Sequence, residues 1–466
     1  MPTTPEQRRL SLRLQGLVQG VGLRPSVYRL ARRLELQGWV RNGPDGVELE
    51  LEGPQARLQQ FLTTLQAEPP PRCRVDSLQQ HWGEARGDLG DFQIADPGRG
   101  DVDHSENGNR RSQQAAATAA ISPDLAICQA CLAELQDPAN RRHRYPFISC
   151  TDCGPRYSVL QRLPFERPHT SLEAFPLCAA CRREYTDPGD RRFHAQTISC
   201  PACGPRLQWQ GTISVQQDAI AAAAAALREG RIVALQGIGG FQLLVDPHNA
   251  AAVAELRRRK GRPDKPLALL VGHGWRQRCC QVSAAEEALW WSPAAPIVLL
   301  RRRTESAEVQ RLASGVAGDS PWLGVMRPAS GLHQLLLEAC GLGALVATSA
   351  NRSGEPIAAD PLTDADVLQQ LADGVLSHEL PIVNRIDDSV MRLAAEAPLI
   401  LRLGRGLAPL TLPQPQAAGQ DCELALGAQL KGSLALRLPG PQGVAHRVTA
   451  NAEPVLTKET GFSERI

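Results

Sequence analysis

A chain of 466 residues is too long for one ordinary core and calls for about three domains. Its 42% hydrophobic and 21% charged residues describe a globular protein, and a formal net charge of +2 gives little electrostatic drive toward nucleic acid or an anionic membrane. No apolar run approaches the roughly 18 residues a membrane span needs, and the opening MPTTPEQRRLSLRLQG lacks the apolar segment of a secretory signal. The cytoplasm is therefore the expected compartment, and thirteen cysteines point to metal binding before disulfides.

The first predicted unit covers residues 1–96. Residues 11–16 alternate as a strand does, and residues 24–36 carry Val27, Leu30, Ala31 and Leu34 at helical spacing. Two strand-like runs, 38–42 and 47–52, flank a Pro44-Asp45-Gly46 turn and predict a hairpin. A second amphipathic helix is expected over 55–65, and residues 91–95 should close the sheet. The order βαββαβ is that of a ferredoxin-like sandwich. Where the first strand becomes the first helix the chain reads Gly16-Leu-Val-Gln19-Gly20-Val21-Gly22-Leu-Arg24-Pro25. Glycines there let the amides of residues 19–22 converge on an anion, and the helix amino terminus adds positive potential. Arg24 supplies a two-pronged fork for phosphate oxygens, and Asn42 at the hairpin is placed to hold a water for in-line attack. With Trp39-Val40-Arg41-Asn42 and Asp45-Gly46-Val47, these residues resemble the acylphosphatase signature. That resemblance implies that Arg24 and Asn42 are the catalytic pair.

Residues 97–121 are polar and then alanine-rich, and read as a linker. A repeat follows over 122–206. Cys128-Gln-Ala-Cys131 and Cys150-Thr-Asp-Cys153-Gly-Pro-Arg are separated by eighteen residues, as are Cys178-Ala-Ala-Cys181 and Cys200-Pro-Ala-Cys203-Gly-Pro-Arg, at a period of 50. Two such knuckles complete a tetrahedral four-cysteine zinc site, and the spacing is met twice. No ligand position is left open, so two structural zinc ions are expected. Gly154 and Gly204 are expected at positive φ. Cys73, Cys279, Cys280, Cys340 and Cys422 show no pairing pattern and read as core residues.

The third unit, 207–411, alternates helices and strands. Residues 217–229 predict a helix, 231–236 a buried strand before Gly237-Ile-Gly-Gly240, and 267–271, 297–300, 323–326 and 345–349 further strands. That alternation implies an α/β domain with a buried sheet. Lys260-Gly-Arg262-Pro-Asp-Lys265-Pro266 sets three cations within six residues, enough to neutralise a triphosphate and stabilise a departing pyrophosphate. Thr348-Ser349-Ala350-Asn351 and Leu401-Arg402-Leu-Gly-Arg405-Gly406 follow strands. Asp387-Asp388 reads as a turn or cap, with a magnesium ligand as the alternative.

The order and spacing of these segments resemble the YrdC-like domain, which uses ATP to activate a carbamate-type carboxyl group. That resemblance implies Lys260, Arg262 and Lys265 for phosphates, and Ser349, Asn351 and Arg402 for the nucleotide. An acylphosphatase unit, a double four-cysteine segment and a YrdC-like unit in this order resemble the HypF carbamoyltransferases of nickel–iron hydrogenase maturation. The phrases Arg257-Arg-Arg-Lys-Gly-Arg-Pro-Asp-Lys-Pro, Thr348-Ser-Ala-Asn-Arg-Ser-Gly-Glu-Pro-Ile and Ala425-Leu-Gly-Ala-Gln-Leu-Lys431 are similar to that family's wording. The resemblance implies hydrolysis of carbamoyl phosphate, formation of carbamoyl-adenylate from ATP with magnesium, and transfer to the carboxy-terminal cysteine of HypE. It fades after Ser433, so residues 412–466 are expected to be a truncated or divergent stub of the transfer domain. A chain so built should fail to load HypE alone. Two rival readings are a threonylcarbamoyl-adenylate synthase serving tRNA, and a zinc-ribbon module binding nucleic acid through its arginine runs.

Overall fold

The computed structural model describes residues 6–96, 119–211, 218–412, 423–426, 433–437 and 446–450. Near its start the chain forms β1 (Gln7–Leu17), α1 (Leu23–Arg33), β2 (Gln37–Gly43), β3 (Gly46–Pro54), α2 (Gln55–Ala67), β4 (Arg74–Glu84) and β5 (Gln93–Ile94). Leu10, Leu12 and Leu14 alternate toward the core because successive strand residues face opposite sides of the sheet. Val27 and Leu30 of α1 and Leu58, Phe61 and Leu62 of α2 cover that face. Phe61 is fully buried, and its truncation to alanine would remove about 3–5 kcal/mol.

The sheet order is β4-β1-β3-β2-β5, the ferredoxin-like arrangement expected from sequence. One element differs. The fourth long strand is β4, antiparallel to β1, whereas the run at 91–95 yields only the two-residue β5, parallel to β2 on the opposite edge. β4 (RVDSLQQHWGE) is an edge strand with no clean alternation, so periodicity does not find it.

Residues 97–118 of the expected linker lie outside the described residues. Ala119 and Ala120 are already buried, and the Ala119 amide donates to the Pro44 carbonyl at 3.0 Å. The cysteine repeat then builds two matching halves. In each the first cysteine caps a short helix, Cys128 at α3 (Gln129–Gln136) and Cys178 at α4 (Ala179–Thr186). The halves share backbone detail: Arg144 and His194 occupy corresponding left-handed positions, at φ 55° and 54°. Gly154 has the expected positive φ of 96°. Gly204 does not. It is required by close approach, because a Cβ there would lie 2.0 Å from the Tyr145 hydroxyl.

The third unit is one large sheet with helices against it. Its strands are β6 (Leu207–Gly211), β7 (Val233–Gln236), β8 (Phe241–Val245), β9 (Ala268–Val271), β10 (Cys280–Gln281), β11 (Ile297–Arg302), β12 (Trp322–Met326), β13 (Ala344–Ser349), β14 (Gly374–His378), β15 (Val390–Ala394) and β16 (Ala397–Arg402). The order is β16-β15-β11-β12-β9-β13-β8-β7-β14-β6, with β10 beside β11. β7, β8 and β14 are buried throughout, as strands covered on both faces must be. Parallel pairing is confined to β7–β14, β9–β12 and β11–β15; the other named pairs are antiparallel. Helices α5 (Ala219–Arg228) and α6 (Ala250–Lys260) are capped by Asp218 and Asn249.

Beyond it, β17 (Leu410–Leu412), β18 (Glu423–Leu426), β19 (Ser433–Arg437) and β20 (His446–Ala450) form a four-stranded sheet ordered β17-β20-β19-β18. Of the phrase starting at Ala425, only Ala425 and Leu426 fall within the described residues, and Cys422 lies outside them.

Candidate functional site

The glycine-rich turn after β1 forms the first site. Gly20 and Gly22 take φ of 71° and 80°, conformations that cost a side-chain-bearing residue energy. The Gln19 side chain fixes the loop to the hairpin, donating to the Gly43 and Gly46 carbonyls at 2.7 and 2.8 Å. That side chain is thus structural, while the backbone of Gln19, Gly20, Val21 and Gly22 shapes the cradle at the start of α1. Among the described residues no protein acceptor takes the N–H groups of Gln19, Gly20, Val21 or Gly22.

Arg24 and Asn42 are both buried, and they meet on one group. Arg24 donates through Nη1 and Nη2 to the two carboxylate oxygens of Glu166, at 2.5 and 3.1 Å. The Asn42 Nδ2 donates to Glu166 Oε1 at 2.9 Å, while Asn42 Oδ1 is buried without a partner among the described residues. Sequence reasoning missed Glu166 because it arrives from the cysteine segment. It also missed Arg156, whose Nε donates to the Gly20 carbonyl at 2.8 Å, and His194, which lines the same pocket. Burial, with the nearby Arg24 charge, pushes the His194 imidazole down to about 3, so it is neutral at pH 7.

The eight repeat cysteines form two clusters, Cys128, Cys131, Cys150 and Cys153, and Cys178, Cys181, Cys200 and Cys203. A tetrahedral zinc with Zn–S of about 2.3 Å has S···S edges of about 3.8 Å. The Sγ atoms of Cys128–Cys150, Cys150–Cys153 and Cys131–Cys153 lie 3.7, 3.8 and 3.5 Å apart. Those of Cys178–Cys200, Cys200–Cys203 and Cys181–Cys203 lie 3.7, 3.7 and 3.6 Å apart. Both clusters fit zinc. Each is steadied by arginines of the other repeat. Arg141 reaches Cys181 Sγ at 3.2 Å and Glu184 at 2.8 Å, and Arg191 reaches Cys131 Sγ at 3.0 Å and Glu134 at 2.7 Å.

A cleft of about 420 Å³ opens on the large sheet, lined among others by Arg262, Lys265, Thr348, Ser349 and Arg402. The structure brings together four of the six expected nucleotide residues, with Arg262, Lys265 and Arg402 as the cationic wall and Ser349 at the end of β13. Lys260 and Asn351 do not line it. Lys260 is buried at the end of α6, where its Nζ donates to the Ser349 carbonyl at 2.5 Å and to the Asn351 carbonyl and Oδ1, both at 2.8 Å. The Asn351 side chain also accepts from Ser349 Oγ at 2.7 Å. Both therefore brace the turn that carries Ser349.

The Asp387-Asp388 pair lies on the cleft wall. Asp388 accepts from Arg405 Nε at 2.7 Å and from Gln242 Nε2 at 2.5 Å. Burial alone would raise its carboxyl, but Arg405 outweighs burial and holds it below the usual range. Asp388 is thus engaged as a counter-ion. Gln242 Oε1 lies 2.9 Å from His333 Nε2, and burial pushes that imidazole down to about 4. Sequence reasoning missed Gln242 and His333.

Three families match separate stretches: acylphosphatase over residues 10–94, the HypF finger over 127–160 and 177–210, and Sua5/YciO/YrdC (telomere recombination) over 225–404. Carbamoyltransferase HypF2 of Cupriavidus necator is 44% identical over 455 residues, covering 93% of this chain and 54% of that protein. Carbamoyltransferase HypF of a Synechocystis species is 42% identical over 434 residues, covering 92% and 54%. The crystal structure of full-length HypF in the phosphate- and nucleotide-bound form aligns with a TM-score of 0.87 at 37% identity, covering 97% of this chain and 57% of that one. The chain spans about half the length of the curated relatives it matches.

Proposed function

The chain belongs to the HypF carbamoyltransferase family, and from that premise we propose that it hydrolyses carbamoyl phosphate at the Arg24–Asn42 cradle and joins the carbamate to AMP at the cleft. The division of labour follows the sequence-based boundaries: residues 1–96 hydrolyse, 122–206 bind zinc and 207–411 adenylate. In the first step water attacks phosphorus and the P–O bond to the carbamoyl group breaks. Carbamate and dihydrogen phosphate leave, so one dianion and water become two monoanions. Arg24 grips two phosphoryl oxygens, the amides of residues 19–22 serve a third, and the unpaired Asn42 Oδ1 accepts from the attacking water. In the second step a carbamate oxygen attacks the α-phosphorus of ATP and pyrophosphate leaves. Arg262, Lys265 and Arg402 neutralise the charge that gathers on it, with magnesium accompanying the nucleotide.

A small apolar cavity of about 70 Å³ supports an internal passage for the short-lived carbamate. It is lined by Gly154, Pro155 and Ser158, which flank the cradle's Arg156, and by Gly237 and Ile238, and Ile238 also lines the cleft. The carbamoyl acceptor in this reading is the carboxy-terminal cysteine of HypE, whose sulfur bonds to the acyl carbon as AMP departs. Zinc held by the eight cysteines supplies folding, since each cluster already provides four thiolates. Among the described residues no helix is long and apolar enough to cross a membrane, and we assign the protein to the cytoplasm.

The observation that carries this reading is that Arg24 and Asn42 converge on a single anionic group. The test is release of phosphate and pyrophosphate from carbamoyl phosphate and ATP by the purified chain. Arg24→Ala should slow phosphate release by about 10²–10³-fold and remove the pyrophosphate that depends on it. Unchanged phosphate release by Arg24→Ala would refute the assignment of the cradle. Pyrophosphate release that needs threonine, and not carbamoyl phosphate, would favour the tRNA-modifying reading instead.

A further inference from the structure

Glu166 sits where a substrate phosphoryl group would have to go. Its carboxylate takes both terminal nitrogens of Arg24 and the amide of Asn42, and both members of the ion pair are about nine-tenths buried. A dianion could not share those donors, because two negative groups would then lie within about 3 Å of each other in a site largely shielded from water. The other half of the cradle stays open: the amides of residues 19–22 and Asn42 Oδ1 have no protein partner among the described residues.

The backbone around Glu166 is fastened on both sides. The Phe165 amide donates to Gln19 Oε1 at 2.9 Å, and the Arg167 amide donates to Gln196 Oε1 at 2.8 Å. Arg167 itself reaches the Gln196 and Ile198 carbonyls at 2.8 and 2.9 Å. The loop is therefore held, and the side chain is the part free to turn. We infer that Glu166, contributed by the cysteine segment, is a built-in competitor for the phosphoryl subsite: it leaves Arg24 when carbamoyl phosphate enters and returns as phosphate departs. This rests on the reading that Arg24 and Asn42 bind that substrate. Its consequence is a raised KM together with weak product inhibition, because apparent affinity falls with the fraction of cradles that are open.

The experiment compares wild type, Glu166→Gln, Glu166→Asp and Arg24→Ala in steady-state phosphate release, with inorganic phosphate as inhibitor. In Glu166→Gln, KM for carbamoyl phosphate and the inhibition constant for phosphate should both fall about tenfold, the scale of one charged hydrogen bond, with kcat within about threefold. Glu166→Asp keeps the charge but is one methylene short of spanning Arg24 and Asn42, so both constants should fall there too. It carries the test should the glutamine variant fold poorly. If both variants keep the wild-type KM, or show a raised KM with a reduced kcat, Glu166 is a structural ion-pair partner and the proposal is overturned. Phosphate release that Arg24→Ala leaves untouched would instead sink the underlying reading, so the two failures are distinguishable.

Discussion

Glu184→Gln should loosen the zinc held by Cys178, Cys181, Cys200 and Cys203 through arginines that belong to the other repeat. Glu184 accepts from Arg141 Nε at 2.8 Å and from Arg142 Nη2 at 2.5 Å, and Arg142 is almost wholly buried. The same arginines reach Cys181 Sγ at 3.2 and 3.5 Å. Burial alone would raise the Glu184 carboxyl, but the hydrogen bonds from Arg142 and Arg141 prevail and bring it from an ordinary 4.5 to about 2. At 1.36 kcal/mol per unit that is about 3 kcal/mol, and because the side chain is 20% exposed, solvent screening leaves about 2 kcal/mol. A carboxyl whose folded value is depressed contributes fully above its unfolded value near 4.5 and loses that contribution as pH falls toward 2, so the whole effect is present at pH 7.5. The assay is the rate at which a chromogenic chelator withdraws zinc at pH 7.5, with the two phases assigned by Cys178→Ser and Cys128→Ser. Glu184→Gln should speed release from the Cys178 cluster about 30-fold, which is 2 kcal/mol. Glu134→Gln should act on the Cys128 cluster in the same way. A change below threefold, or acceleration confined to the wrong cluster, would refute the cross-repeat clamp.

Arg262→Ala and Lys265→Ala should each raise KM for ATP about tenfold in pyrophosphate release, while phosphate release from carbamoyl phosphate continues at the wild-type rate. Lys260→Met leaves the Ser349 and Asn351 carbonyls and Asn351 Oδ1 without that donor, so it should lose about 3 kcal/mol of stability in thermal unfolding beyond any effect on ATP. His194, His333 and His378 are held by burial at about 3, 4 and 4, below the unfolded value near 6.5. The unfolded chain then binds more protons, so stability should fall as pH drops from about 6.5 toward 4. His333→Gln should flatten that slope by up to one proton, read as the difference in Tm against pH between variant and parent.

The cysteine clusters and the glycine-rich turn were legible in the sequence because spacing along the chain fixes their local geometry. A CxxC knuckle or a strand-to-helix turn assembles from neighbours, and only α1 and β2 lie between Arg24 and Asn42. β4 was not legible, since an edge strand has only half a face to bury and so no apolar period to betray it. Glu166 could not be found at all: it lies 142 residues from the arginine it occupies, and only the packed fold brings them together. Nor was the burial of Lys260 legible. Its phrase reads as a cationic loop, yet the last turn of α6 points it under β13, where backbone carbonyls replace water. The loop cations Arg262 and Lys265, placed after the helix ends at Gly261, are the ones that face the cleft.

The cysteine segment ties the two chemical sites together, and its composition explains why metal is needed to do so. Its second half has a small core, Cys181, Ala195, Ile198 and Cys200 with Leu177, Cys178, Tyr185 and Cys203 partly buried against them, little apolar surface to offset the entropy of ordering some thirty residues. Its first half borrows a core, packing Cys131, Leu135, Cys150 and Cys153 in one cluster with Leu227, Val233 and Leu335 of the large sheet and its helices. From that platform Arg156 and Glu166 reach into the cradle. The same stretch binds the cleft domain, with the Val383 amide on the Ser158 carbonyl at 2.7 Å and Asn384 Nδ2 on the Tyr157 and Leu160 carbonyls at 2.7 and 2.8 Å. Seven residues, 159–165, separate the Ser158 carbonyl that meets the cleft domain from the Glu166 carboxylate in the cradle. One stretch of the cysteine segment, residues 156–166, therefore carries hydrogen bonds both to the cradle and to the cleft domain.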